Sequence, residues 1–158
     1  MTVGALLSLL PKPLRLCAGI VGALILADAS PQDLAASRAL WEAAGVANYE
    51  YSYQRVCECH PDQLADTIVT VSEGRVVAVR YARDDYSQEV AVAAEKVSWY
   101  RTIEDLFSLV ETARASADVV RVSFDATHGY PATVYIDYVP DLVGDEVELK
   151  VTRFVPSP

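Results

Sequence analysis

Residues 119–138, with the sequence VVRVSFDATHGYPATVYIDY, decide the fold class of this chain. Apolar residues alternate with others on both sides of a polar centre, namely Val120, Val122 and Phe124 before it and Val134, Ile136 and Tyr138 after it. Because successive side chains of a strand point to opposite faces, each triplet shares one face of its strand. Asp125, Gly129 and Pro131 supply turn chemistry through a hydrogen bond to the backbone, a positive φ and a fixed φ. The stretch therefore predicts a half-buried antiparallel hairpin that bends near residues 125–131.

A second hairpin is predicted where the segments TIVTVS and RVVAVRY flank the dipeptide Glu73-Gly74. A two-residue loop would set Val69 and Val71 against Ala78 and Val76. A three-residue loop with Gly74 in the left-handed region instead brings together on one face Val69, Val71, Val77, Val79 and Tyr81. The three-residue loop is the favoured prediction.

Helix and strand signals complete the predicted order. Ser30 followed by Pro31 has the features of a helix start, and Thr102 begins a second capping signature. The further predicted elements are a helix over 31–44, a strand from Tyr49 that Pro61 ends, a partly ordered connection over 82–101, a helix over 103–115 and a last strand from Val147. The predicted fold class is α+β, an antiparallel sheet in the order α-βββ-α-βββ with two helices packed on one sheet face.

The amino end has the features of a secretory signal peptide. Lys12 and Arg15 precede an apolar run over residues 16–27, and the tripeptide Ala27-Asp28-Ala29 matches the small-x-small cleavage pattern. An uncleaved membrane anchor or a buried helix is the alternative interpretation. The apolar run is shorter than the roughly 20 residues that span a bilayer, which favours export with cleavage.

Cleavage is expected before Ser30, which divides the chain into a signal peptide, residues 1–29, and a single domain, residues 30–158. The whole chain has a net charge of −9, and removal of the basic signal segment would make the domain more acidic still. Such a field repels nucleic acid. We therefore expect no nucleic-acid partner and no transmembrane span after cleavage.

Cys57-Glu58-Cys59 is the most distinctive local motif, and three interpretations of it stay open. In an exported protein the two cysteines pair most simply as a disulfide. Cα atoms two residues apart in a strand are separated by about 6.5 to 7 Å, at the upper limit for a disulfide, so this interpretation requires a bend. The alternatives are a redox-active pair and free or metal-bound thiols, with His60 and His128 as further metal ligands.

Other residue clusters allow both a structural and a chemical interpretation. The stripe formed by Tyr49, Tyr51 and Tyr53 is predicted to be core covered by a helix rather than an exposed binding platform. Carboxylates near strand ends are candidates for an acid/base pair, although a solvated acidic loop is favoured: Asp125, Asp137, Asp141, Asp145 and Glu146. The chain has no G-x-S-x-G, P-loop or G-x-G-x-x-G motif, so no catalytic or cofactor-binding residue is predicted.

A set of motifs points to a known family. The chain combines a Trp-bearing helix, an early C-x-C and a late G-Y-P-x-x-V-x-I-D-Y, carried by Trp41, Tyr51, Gly129, Tyr130, Pro131, Asp137 and Tyr138. Over residues 38–154 the sequence resembles a bacterial family of exported proteins and lipoproteins known only as a domain of unknown function. The resemblance implies localisation in the cell envelope and brings no activity, cofactor or catalytic residue.

The sequence supports two functional hypotheses from different classes. The first is a non-enzymatic envelope module that binds a protein or a small ligand on an exposed sheet face. The second is a thiol redox or metal-handling protein that uses Cys57 and Cys59.

Overall fold

The computed structural model describes Met1, residues 34–82 and residues 90–158. In this part of the chain three α-helices and one 3-10 helix accompany a six-stranded sheet. The helices are α1 (Leu34–Ala44), α2 (Pro61–Leu64), the 3-10 helix (Ala94–Trp99) and α3 (Ile103–Ser116). The strands are β1 (Tyr49–Cys57), β2 (Thr67–Ser72), β3 (Arg75–Tyr81), β4 (Val119–Phe124), β5 (Pro131–Asp137) and β6 (Val147–Pro156).

The predicted α+β class with an antiparallel sheet is confirmed, whereas the predicted order lacked α2 and the 3-10 helix. Strand β1 ends at Cys57, earlier than the predicted end at Pro61. Pro61 instead begins α2, because a proline fits the first turn of a helix. The predicted signal peptide, residues 1–29, and the helix start at Ser30 lie outside the described residues. No helix of the described residues is both long and apolar enough to cross a bilayer.

The strands form one sheet in the order β3-β2-β1-β6-β5-β4, and all neighbours are antiparallel. Each half of the sheet is a meander of three strands, and the halves join where β1 pairs with β6. This pairing runs from Tyr49 opposite Pro156 to Cys57 opposite Val147. The first and last strands therefore occupy the centre of the sheet.

The tyrosine stripe of β1 lies in the core, as predicted. Tyr49, Tyr51 and Tyr53 are 1%, 1% and 3% exposed. The ring of Trp41 in α1 meets the Tyr49 ring edge to face, with 5.5 Å between centroids. The backbone N–H of Ile103, at the start of α3, donates to the Tyr49 hydroxyl over 2.8 Å. One tyrosine thus contacts both long helices.

Helix α3 begins where its capping signature predicts. The Thr102 hydroxyl accepts from the backbone N–H of Asp105 over 3.1 Å, and the Asp105 carboxylate accepts from the backbone N–H of Thr102 over 2.9 Å. This reciprocal capping box satisfies two donors that a helix start otherwise leaves unpaired. The residues at helical spacing are all buried, namely Ile103, Leu106, Phe107 and Val110.

The β2–β3 hairpin differs from the favoured prediction at its turn. Glu73 and Gly74 both have positive φ, 49° and 70°, so the loop has two residues and the predicted three-residue loop is wrong. A β-bulge leaves Val77 without a Cα partner on β2 and 57% exposed. Beyond this bulge Val69 pairs with Val79, the pairing that the three-residue loop would have produced.

Part of the predicted connection over residues 82–101 lies outside the described residues, namely 83–89. The first residues after this gap pair with β3, the edge strand of the sheet. Ala91 forms an isolated bridge with Arg80, and the backbone N–H of Val92 donates to the Val79 carbonyl over 2.8 Å. The chain then enters the 3-10 helix.

The β4–β5 hairpin bends at the predicted residues. The Asp125 carboxylate accepts from the backbone N–H groups of Thr127 and His128 over 3.0 and 2.7 Å, and Gly129 has a φ of 80°. Strand β5 ends one residue earlier than expected, at Asp137. Tyr138 is 39% exposed, so its predicted place on the buried face is wrong.

Candidate functional site

The cysteine pair lies where β1 ends. Cys57 and Cys59 form a disulfide with their Cα atoms 5.3 Å apart, well within the usual range for such a bridge. The chain bends at Glu58, which supplies the departure from strand geometry that the disulfide interpretation required. Both cysteines are half-buried, so the bridge is partly accessible from solvent.

The two histidines lie far apart along the sheet. His60 is the N-cap of α2, where its Nδ1 accepts from the backbone N–H of Asp62 over 3.3 Å, and it follows the end of β1 that pairs with Val147. The His128 ring lies 5.2 Å from the ring of Phe154, toward the other end of β6. Within residues 34–82 and 90–158, no three His, Cys, Asp or Glu residues are placed to hold a metal ion. The structure therefore does not assemble the four-ligand set considered from sequence.

An ion pair joins α2 to the 3-10 helix beside the cysteine segment. The Lys96 ammonium lies 2.5 Å from the Asp62 carboxylate. This contact lowers the pKa of Asp62 and raises the pKa of Lys96. Both side chains remain about a third exposed, so the pair ties two short surface elements together without enclosing a site.

Two of the candidate acid/base residues hold the loop between β5 and β6. Asp145 accepts from the backbone N–H of Val139 over 2.7 Å, and Glu146 accepts from that of Gly144 over 2.9 Å. Hydrogen bonds from backbone N–H groups, including its own, lower the pKa of Glu146. These two carboxylates therefore stabilise the loop by accepting hydrogen bonds from its backbone.

The same loop packs against the cysteine segment. A Cβ at Gly144 would lie 2.6 Å from the Glu58 carboxylate, so the two segments are in close contact. The loop also exposes apolar side chains, with Val139, Leu142 and Val143 at 51%, 56% and 82%. The disulfide end of the sheet thus presents an accessible bridge beside an apolar loop.

Most of the family-motif residues are structural. Trp41, Tyr51, Gly129, Tyr130 and Pro131 are buried, whereas Asp137 is half-buried and Tyr138 is exposed at the end of β5. The indole N–H of Trp41 donates to the Glu104 carboxylate over 3.0 Å, and the Tyr49 hydroxyl donates to the same carboxylate over 3.2 Å. Burial is the main cause that raises the pKa of Tyr49. This network fixes α1 and α3 to β1.

A cleft of about 290 Å³ lies beside α1 and α3. Arg38 lines this cleft, and its charge already has partners. The Arg38 guanidinium lies 4.9 Å from the centre of the Phe107 ring and 2.9 Å from the Glu111 carboxylate. Its aromatic walls, Trp41 and Phe107, are only 4% and 0% exposed. The cleft is therefore a boundary between packed elements that exposes little aromatic surface to a ligand.

The sheet surface opposite the tyrosine stripe, here termed the Glu50 face, carries a more polar groove. The groove measures about 60 Å³, and the side chains of this face that line it are Glu50, Ser52, Ile68, Arg80, Arg153 and Val155. Both terminal nitrogens of the Arg80 guanidinium donate hydrogen bonds to the Glu50 carboxylate, over 2.7 and 3.0 Å. The Thr70 hydroxyl donates to the same carboxylate over 2.8 Å. Mainly because of Arg80, the pKa of Glu50 is lowered to about 2. Glu50 is thus a fixed anion at neutral pH.

Arg153 differs from Arg80 and Lys150 of the Glu50 face. Among the described residues it makes no hydrogen bond or ion pair, although it lies directly opposite Ser52 and its charge interacts with that of Glu50. By contrast, the Lys150 ammonium lies 2.9 Å from the Glu148 carboxylate. The groove therefore combines one arginine that is hydrogen-bonded to Glu50 with one whose guanidinium N–H groups have no hydrogen-bond partner among the described residues.

The sequence analysis did not identify this groove, because its residues come from four strands and share no linear spacing. Because side chains alternate along β1, Glu50 and Ser52 lie on the face opposite the tyrosines. Their association with Arg80 and Arg153 depends on which strands become neighbours. The β1–β6, β1–β2 and β2–β3 pairings bring them together.

Comparison with known proteins adds a family but no activity. A family model described as a family of unknown function, DUF6174, matches residues 33–156, a range that contains every helix and strand described above. This confirms the resemblance inferred from sequence at the level of a domain of unknown function. No curated protein matches the chain.

Proposed function

The chain belongs to the DUF6174 family, whose function is unknown, and we propose that it is an exported, non-enzymatic module that binds a protein or a ligand on the Glu50 face. In this proposal α1 and α3 both cover the tyrosine side of the sheet and leave the Glu50 face open. The contacts of Tyr49 with Trp41 and with Ile103 support this arrangement.

The groove on the Glu50 face is the observation that carries the proposal. Arg80 and Thr70 hold Glu50 in one position, so part of the groove is preorganised. Preorganised polar groups cost less to order on binding than mobile ones do. Arg153, whose charge interacts with that of Glu50, adds a charged donor without a hydrogen-bond partner among the described residues. A surface of this kind is suited to recognition, and its side chains contain no nucleophile with an adjacent base.

Export is proposed from the amino end and is supported by the cysteine pair. The basic residues and apolar run before Ser30 have the pattern of a secretory signal. Structural disulfides persist mainly in oxidising compartments, and Cys57 and Cys59 lie at disulfide distance. The amino-terminal sequence of the protein recovered from the envelope tests this step, with Ser30 expected as the first residue.

Site-specific photo-crosslinking in the native envelope tests the binding surface. A photoreactive amino acid replaces Val155 or Ser123, two exposed residues of the Glu50 face, or Thr112, an exposed residue of α3, as the matched control. We expect the same adduct, identified by mass, from Val155 and Ser123 and none from Thr112. The absence of any adduct from the Glu50 face, or equal labelling from Thr112, would contradict the proposal.

A thiol redox function is the second candidate, because the Cys57–Cys59 bridge is partly accessible beside an exposed apolar loop. Intact mass before and after alkylation of the protein from its native compartment reports the thiol state. A reduction potential below about −300 mV would mark the bridge as structural, whereas a clearly higher potential with reversible turnover would favour the redox function.

A further inference from the structure

We propose that the groove on the Glu50 face is a carboxylate site, in which Arg153 binds the carboxylate of a small ligand or of a peptide C-terminus. The inference rests on the proposed function, because it names the chemistry that the same surface recognises. Its parts are a cation without a hydrogen-bond partner among the described residues, a neighbouring hydroxyl and apolar walls. Each has a definite place in the sheet.

The charge of Arg153 is the first argument. Three other cations of the Glu50 face are engaged, namely Arg80 by Glu50, Lys150 by Glu148 over 2.9 Å, and Arg121 by the Tyr135 ring 4.1 Å away. Within residues 34–82 and 90–158, Arg153 makes no hydrogen bond or ion pair, and its charge interacts with that of Glu50 only at longer range. A planar guanidinium with free donors matches the two oxygens of a carboxylate, and such charge-assisted pairs are stronger than neutral hydrogen bonds.

The strand register supplies the second argument. Arg153 lies opposite Ser52, Ser52 lies opposite Ile68, and Ile68 lies opposite Arg80. The row therefore presents a cation, a hydroxyl and an apolar side chain in succession across β6, β1 and β2. Val155, opposite Glu50 in the next row, adds a second apolar wall. A carboxylate on Arg153 would thus have a hydroxyl donor and apolar surface beside it.

The size and fixed charge of the groove define the ligand class. At about 60 Å³ the groove is far smaller than the roughly 300 to 1,000 Å³ of pockets that enclose a whole small molecule, so it would take one end of a ligand. Glu50 stays ionised because Arg80 holds it, and its charge opposes a dianion such as phosphate more than a monoanion. A carboxylate with an adjoining apolar group fits both conditions.

Nuclear magnetic resonance titration of the purified chain tests this site. The probes are N-acetyl-leucine, its uncharged amide, inorganic phosphate, and a short peptide ending in leucine with a free or an amidated C-terminus. We expect saturable shifts of the backbone signals of Ser52, Ile68 and Val155 with the two free carboxylates only. Stronger binding of N-acetyl-leucine would indicate a small acid as the natural ligand, and stronger binding of the free peptide would indicate a peptide C-terminus.

Arg153→Gln and Lys150→Gln form a matched pair of variants on the same strand and face. Since a charge-assisted hydrogen bond contributes about 1.5 to 3 kcal/mol, Arg153→Gln should weaken binding by about tenfold or more, while Lys150→Gln should change it by less than about threefold. Equal shifts with the amide, no shifts with about 50 mM carboxylate, or unchanged binding by Arg153→Gln would overturn the inference. Crosslinks from the Glu50 face without carboxylate binding would overturn this inference alone, whereas the loss of both would also contradict the proposed function.

Discussion

Gly129 meets two requirements at a single residue. Its φ of 80° lies in the region that L side chains rarely adopt, and a Cβ built there would lie 2.3 Å from the carbonyl oxygen of Ser37 in α1. The turn of the β4–β5 hairpin therefore packs directly on the backbone of a helix that is distant in sequence. Turn chemistry predicts the positive φ of Gly129 but not its close approach to Ser37.

Gly129→Ala should be far more destabilising than Gly45→Ala. Gly45 also has a positive φ, 60°, but a Cβ added there would meet no atom within 4 Å, so its substitution should cost only the strain of about 1 to 2 kcal/mol. The clash with Ser37 should raise the cost at Gly129 to at least about 3 kcal/mol. Urea unfolding of the two variants measures the difference. Equal losses in the free energy of unfolding would show that α1 moves away from the added Cβ without an energetic penalty.

Removal of the disulfide should have a small effect on stability. The bridge between Cys57 and Cys59 closes a loop with one intervening residue, and the chain-entropy stabilisation of a disulfide grows with loop length. We expect Cys57→Ser with Cys59→Ser to lower the free energy of unfolding by less than about 2 kcal/mol. Denaturant unfolding measures it against the oxidised wild type. A double variant that fails to fold would assign the bridge a larger structural role.

The β2–β3 hairpin shows how an element adjusts its register. Its two-residue turn suits the twist of antiparallel strands, but continued regular pairing would set Val69 against Ala78. The bulge at Val77 shifts the pairing so that Val79 enters the core at 3% exposure. The bulge thus allows the hairpin to keep its two-residue turn and still place Val79 in the core.

A matched pair of isosteric changes tests this register. Val79→Thr should destabilise the protein by about 1 to 3 kcal/mol, because it buries a hydroxyl among apolar side chains. Val77→Thr should stay within about 0.5 kcal/mol of the wild type, since Val77 is 57% exposed. Thermal and urea unfolding report both values. The reverse ranking would show that Val77 points inward and that the bulge is absent.

At the scale of the whole molecule, buried tyrosines make the stability of the fold depend on pH. Burial is the main cause that raises the pKa of four of the nine tyrosines, namely Tyr49, Tyr51, Tyr100 and Tyr130. They come from β1, from the segment before α3 and from the turn of the β4–β5 hairpin. Ionisation of these groups therefore opposes the packing of the whole domain.

Stability should fall as the pH rises above about 10, the pKa of an unfolded tyrosine. Above that pH the unfolded chain releases phenol protons that the folded chain keeps, so the free energy of unfolding decreases with pH. Urea unfolding at about pH 7 and about pH 11 measures the loss, and phenolate absorbance should appear together with unfolding. Tyr49→Phe should make the decline less steep. Equal stability at both pH values would show that these hydroxyls ionise within the folded protein.

The sequence by itself determined the α+β class, both hairpins, the start of α3 and the burial of the tyrosine stripe. These features depend on short-range properties: the period of two in Tyr49, Tyr51 and Tyr53, the turn chemistry between β4 and β5, and the capping box at Thr102. Each is encoded within about ten consecutive residues.

Only the tertiary structure decided the rest. The bulge at Val77, the contact of Gly129 with α1, the separation of His60 from His128 and the groove between Glu50 and Arg153 all depend on which distant segments become neighbours. Strand pairing between β1 and β6 joins residues about a hundred positions apart, and no local pattern specifies that pairing. The candidate site lies on this central pair, which is why its components were visible in the sequence while their association was not.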